Sequence, residues 1–233
     1  MKVSVIILHY NRRELLLTSL RSIDYIDNME VIIIDDGSDI SIDDIPYLEE
    51  FRGVDIKVFS FKKEEKKWLF PAIPINKAVS MVTGDVILFQ GAEIYHKHNI
   101  IDHLINNIEK NKYLVYGTFA LNRDVPCETS IDSSKGVWYQ HSIHSPRNLN
   151  FCVGIMTEDM LDIGGFNEAY GVGTNWGDND FLWRVNKKGM NIVPVDYPYV
   201  YHIWHPQGAI VQNYPLYQEC IKADDYKIKN SFL

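Results

Sequence analysis

Two apolar runs, Val3-Ser4-Val5-Ile6-Ile7-Leu8 and Glu30-Val31-Ile32-Ile33-Ile34-Asp35, restrict this chain more than any other feature. Both are nearly continuous β-branched or aliphatic sequence without polar alternation, the pattern of strands covered on both faces. Between them, over 12–23, Leu16, Leu20 and Ile23 recur at helical spacing. Strand, helix, strand in that order is a βαβ unit, which implies a parallel sheet and a right-handed crossover. Further strands are predicted over 54–61 and 85–90. The segment joining them, 74–84, reads as a helix with Pro74 near its start and Gly84 just past its end.

The alternation continues less regularly downstream. Residues 99–112 place Ile101, Leu104, Ile105 and Ile108 on one helical face, and 113–121 and 152–157 have strand character. Thr157 with Glu158 and Asp159 suits a helix start, and 177–189 reads as a helix closed by Gly189. Residues 191–195 and 199–205 are two late strands, and a weak terminal helix is expected from Asn213 onward. The stretch 122–150 is polar, holds Trp138, Tyr139, His141 and His144, and reads as one long loop of the kind that is usually functional. One α/β domain over all 233 residues is the economical reading.

A net charge of −8 gives no basic face for nucleic acid. Three scattered cysteines, Cys127, Cys152 and Cys220, form neither a disulfide framework nor a zinc motif. The apolar start meets His9-Tyr10-Asn11 too soon for a signal peptide, and no stretch is long enough to span a bilayer. A cytoplasmic protein is expected, with room for peripheral membrane association through a partner.

In an open parallel sheet, ligands bind beyond the carboxyl ends of the strands. Those ends are His9-Tyr10-Asn11, Asp35-Asp36-Gly37-Ser38 and the turn from Gln90 to His96. Asp35 and Asp36 adjoin on a strand end, so their side chains point to opposite faces. One can meet a ligand while the other braces the turn; the bland alternative is an Asx-turn. Glu93 and His96 follow a buried strand directly, where a polar turn competes with a ligand site. Carboxylates suit Mg²⁺ or Mn²⁺, and Mn²⁺ accepts an occasional imidazole, which brings in His202 and His205. Asp178 and Asp180 open a helix, where capping alone would favour them. Trp176-Gly177 before them offers a flat surface for a sugar ring, and a carboxylate beside it could serve as a general base.

In this order the pieces resemble family 2 glycosyltransferases of the GT-A fold. The likeness rests on 3–39, on "PINKAVSMVTGDVILFQGAE" and on "GGFNEAYGVGTNWGDNDFLWRVNKKG", the last similar also to the C-terminal part of β-1,4-galactosyltransferases and polypeptide N-acetylgalactosaminyltransferases. It covers roughly 3 to 205, with 122–150 unmatched. The resemblance implies a Rossmann-like, mostly parallel sheet flanked by helices. It implies a nucleotide-sugar-binding half over 1–120 and an acceptor-binding, catalytic half over 121–233. Leu8, Tyr10, Asp36, Asn76, Gln90 and Glu93 would contact the donor, Asp36 at the base. Gln90-Gly91-Ala92-Glu93 falls on the family's Asp-x-Asp segment, with Glu93 its one acidic residue, and His202 falls where related transferases place a metal ligand. Glu93 and His202 would then hold Mn²⁺ or Mg²⁺. Asp178 matches the inverting general base, while Trp176, Gly177 and Trp138 would meet the acceptor. The implied reaction moves a sugar, UDP-linked by preference, onto a hydroxyl of a glycan or other acceptor. Two other readings stay open: a transferase relative that binds without turnover, and a nucleotidyltransferase, although "LHYNRRE" lacks the glycine-rich loop such enzymes use.

Overall fold

The structure, a computed structural model, describes residues 1–42, 51 and 53–233. The elements follow as β1 (Val3–His9), α1 (Arg13–Arg21), β2 (Met29–Asp35), β3 (Asp55–Ser60), α2 (Ala72–Met81), β4 (Val86–Gly91) and β5 (Ile94–His96). Then come α3 (Ile100–Asn107), β6 (Lys112–Leu121), β7 (Gly136–Gln140), β8 (Cys152–Met156), α4 (Thr157–Ile163), α5 (Gly177–Lys187), β9 (Asn191–His202) and α6 (Tyr214–Ala223).

The strands form one sheet in the order β3-β2-β1-β4-β8-β6-β9-β5, with β7 added alongside β6. The run β3-β2-β1-β4 is parallel throughout. Beyond it the sheet is mixed: β8 runs antiparallel to β4 and β6, whereas β9 runs parallel to β6. Alternation along β1 divides the core. Val3, Val5 and Ile7 pack with Leu16 and Leu20 of α1, whereas Ile6 packs with Ile75, Ala78 and Val79 of α2. Each fully buried leucine of α1 contributes about 1.5–3 kcal/mol by leaving water. The parallel register also matters for function: His9 lies opposite Asp35 and Leu8 opposite Gly91, so three strands release their chains at one rim.

Several local expectations change. Gly84 does not close α2, which ends at Met81 on an extended Val82. It lies instead against β1, where a Cβ would come within 2.5 Å of Ser4 Oγ. The 122–150 stretch is not all loop, because β7 pairs antiparallel with the end of β6 and His141 and Ser145 bridge beyond it. The two late strands are one, β9, whose pairing with β6 shifts register between Tyr116 and Gly117. Among the described residues no helix is long and apolar enough to cross a membrane.

Candidate active-site cleft

The turn between β4 and β5 carries Glu93, and Gly91 makes room for it. A Cβ on Gly91 would lie 2.6 Å from Glu93 Oε1, so the carboxylate folds back over the strand end only because that residue is glycine. Arg12 Nη1 donates to Glu93 Oε2 at 2.8 Å, and His202 Nε2 lies 3.7 Å from Oε1. β5 pairs Ile94 with His202, so antiparallel register holds this histidine at the turn. The ring of His205 lies 5.1 Å from that of His202, tilted by 41°. Ligand atoms of Glu93, His202 and His205 lie within 4.8 Å of one another, the one such group of three found among the described residues. Burial alone would raise the Glu93 carboxyl, but Arg12, His202 and His205 hold it below its ordinary value. Burial lowers His202 to about 4 despite Glu93, leaving its imidazole neutral and able to donate a lone pair.

The same rim continues towards β2. Asp35 turns inward, accepting from Ser38 N and Ser38 Oγ at 3.0 and 2.6 Å, and so holds the turn. Asp36 points the other way, into a cavity of about 410 Å³ that Tyr10, Arg12, Lys66 and Glu93 also line. Trp68 Nε1 donates to Asp36 Oδ1 at 2.6 Å and Lys66 Nζ to Oδ2. Burial raises the Asp36 carboxyl, with both donors opposing. The Lys66 ammonium also sits 4.5 Å over the ring of Tyr10, itself well exposed.

A second cavity, about 230 Å³, joins this one through the shared walls Leu8, Pro71, Gly91, Glu93 and Thr174, and it contains Asp178. Asp178 is the second residue of α5, where the helix dipole favours an anion. Burial raises its carboxyl, offset in part by Asn150 Nδ2, which donates to Oδ1 at 2.9 Å. Asn150 is in turn fixed by the buried Tyr113, whose hydroxyl donates to Asn150 Oδ1. The helix is anchored one turn on, where buried Arg184 donates to Asp180 Oδ2 at 2.8 Å.

Other residues singled out from the sequence lie elsewhere. Gln90 is fully buried, donates to Ser19 Oγ at 3.0 Å and meets His96 Nε2 at 2.7 Å, because alternation turns it away from Phe89 and Gly91, which line the cleft. His96 belongs to that internal pair; burial lowers it to about 3. Asn76 is also buried, binding the Phe166 amide and carbonyl at 2.8 Å each. Trp176 stacks on Tyr217 of α6 at 5.1 Å, so that face is taken. Gly177 packs on Phe70, where a Cβ would meet the ring at 2.3 Å. Trp138 packs on Phe119, His141 and Tyr199. Its neighbour Tyr139 faces a third cavity, about 510 Å³, with Phe151, His202 and His205. Arg12, Lys66, Trp68 and Asn150 give no sequence signal, since their partners lie 28 to 81 positions away.

A family model described as glycosyl transferase family 2 matches residues 4–158. No curated protein sequence matches. Among solved structures, the 1–349 fragment of Staphylococcus aureus TarS in complex with UDP superposes with a TM-score of 0.69 at 17% identity, covering 96% of this chain and 65% of that one. The same fragment with UDP-GlcNAc gives 0.66 at 17%, covering 96% and 65%. The mannosyltransferase PcManGT of Pyrobaculum calidifontis, in complex with GDP-Man and Mn²⁺, gives 0.64 at 15%, covering 89% and 58%. This chain thus spans less than two thirds of the length of these solved chains. At these identities the likeness establishes the fold, which is that of GT-A transferases.

Proposed function

The chain belongs to glycosyl transferase family 2, and from that premise we propose that it moves a sugar from a nucleoside-diphosphate sugar to an acceptor hydroxyl, with inversion, using Asp178 as general base. One observation carries the reading: Asp36, Glu93 and Asp178, far apart in sequence, line two cavities that share five walls. The base end would lie at Tyr10 and Asp36, the diphosphate at Arg12 and Glu93, and the sugar beside Asp178. A UDP-sugar is favoured because the TarS fragment was solved with UDP and UDP-GlcNAc, although the archaeal neighbour carries GDP-Man. The family match ends before α5, so the role proposed for Asp178 rests on its place in a cavity it shares with Glu93.

Glu93, His202 and His205 fit a divalent cation, since one carboxylate and two imidazoles, the buried His202 held neutral, match Mn²⁺ better than Mg²⁺. A cation there would neutralise charge developing on the departing diphosphate. Arg12 adds a fixed positive charge at the same place and keeps Glu93 ionised. Asp178 takes the acceptor proton as its oxygen attacks the anomeric carbon, while Asn150 holds the carboxylate in position. Two features favour a protein that binds donor without turnover: the single acidic residue of Gln90-Gly91-Ala92-Glu93 and the grip of Arg12 on it. The deciding experiment screens UDP- and GDP-sugars with Mn²⁺ by thermal shift, then follows free UDP or GDP. A stabilising donor that is also consumed supports the transferase. Stabilisation without nucleotide release supports the binder, and no stabilisation by any donor defeats both.

A further inference from the structure

Resting on that reading, we infer that the third cavity seats the acceptor, and that it selects a sugar carrying an anionic group, a phosphate ester or a carboxylate. The cavity, about 510 Å³, is of ordinary size for a small-molecule site. Its aromatic walls are Tyr139, Phe151 and Trp204, the last 41% exposed, and such rings stack on sugars. Phe151 is also a wall of the Asp178 cavity, and its neighbour Asn150 holds Asp178 directly. A molecule seated against Phe151 therefore lies beside the proposed base.

The charge of the lining gives the chemical class. This chain has 31 acidic and 23 basic residues, yet among the described residues no carboxylate lines the cavity. Arg147 does line it, exposed, and its guanidinium has no ion-pair partner among the described residues. A second guanidinium, that of Arg123, lies 4.9 Å from the ring centre of Trp204. Its neighbour Asp124, at 3.7 Å, is almost fully exposed and neutralises it weakly. An unpaired guanidinium offers a planar fork that grips phosphate or carboxylate by two parallel hydrogen bonds. A neutral sugar would leave that fork to water.

Calorimetric titration of the purified protein with glucose 6-phosphate, glucuronate and glucose tests this, with UDP and Mn²⁺ present to fill the donor cleft. At least one of the two anions should bind about ten-fold or more tightly than glucose. The stronger of the two identifies the acceptor's charged group. Arg147→Glu should abolish the preference while leaving the melting temperature unchanged, and Arg147→Lys should retain part of it, since lysine keeps charge but not the fork. Equal binding of glucose and both anions, or a preference that survives in R147E, overturns the inference. Failure of the donor reading shows separately, as the absence of any nucleotide-sugar thermal shift.

Discussion

Glu30 and Glu93 are glutamates at opposite rims of the same four parallel strands, and both keep a cation close. Glu30, at the amino ends, is saturated. Ser4 Oγ donates at 2.5 Å, Thr83 N and Oγ1 at 2.7 and 2.8 Å, and Lys57 Nζ at 2.5 Å. Glu93, at the carboxyl ends, receives one hydrogen bond from another side chain among the described residues, that of Arg12, and has His202 at 3.7 Å. A buried carboxylate with all its lone pairs engaged ties strands together, whereas one left with vacant lone pairs beside a cavity is available to a ligand. Asp178 belongs with Glu93: a single amide holds it, in a cavity both share.

The largest effect should come from the underused group at the chemistry. Asp178→Asn should lower kcat by about 10²–10⁴, with the donor's thermal shift retained. Full transfer activity in D178N would remove the base from the mechanism. Next, the two glutamates should separate by readout. Glu30→Gln should cost about 2–3 kcal/mol of stability in urea denaturation, because charge-assisted hydrogen bonds are lost in a buried network. Glu93→Gln should cost little stability and abolish the Mn²⁺-dependent thermal shift. If E93Q unfolds as readily as E30Q, the contrast between the rims is empty.

Much of this contrast was legible in the sequence. The unbroken apolar runs fixed β1 and β2, and the rule for strand ends pointed to Asp36 and Glu93. Alternation, applied strictly, would also have turned Gln90 away from the cleft, since Val86, Leu88 and Gln90 share one face and Phe89 and Gly91 the other. The same period separates Trp138 from Tyr139 on β7, but that strand is short and set in polar sequence, so its pattern is weak. Arg12, Lys66 and Asn150 were not legible, because nothing local distinguishes a surface cation or amide from one folded onto a distant carboxylate. The contacts of Trp176 are hidden for the same reason: its ring partners arrive with α6, a helix without one fully buried residue.

The rims should also respond oppositely to pH. Burial works against the Glu30 anion, but Lys57, Ser4 and Thr83 outweigh it, and its carboxyl falls from 4.5 to about 2. A carboxyl depressed in the folded state contributes stability that is whole above the unfolded value and is lost as pH falls through the folded one. Wild-type stability relative to E30Q should therefore shrink between pH 4.5 and about 2 in acid denaturation. Asp178 is shifted upward by burial, so its anion is the costly form. Since the base must be ionised, kcat should fall with acid on a limb lying above the ordinary carboxylate range, and D178N should lack that limb.

The smallest effect tests how the carboxylate proposed as base is aimed. An asparagine amide can turn either end towards Asp178, and only the nitrogen end is useful, because two oxygens would repel. Tyr113 decides the matter: its hydroxyl donates to Asn150 Oδ1, which leaves Nδ2 for Asp178. Tyr113→Phe keeps the ring in the core beside Phe181 and removes only the hydroxyl. With the amide free to flip, Asp178 loses part of its one hydrogen bond, and its carboxyl rises further. A charge-assisted hydrogen bond is worth about 1.5–3 kcal/mol when fully lost, and a partial loss should lower kcat several-fold and move the acid limb upward. Should Y113F lower kcat without moving that limb, Tyr113 would be acting through packing rather than through the proton it donates to Asn150.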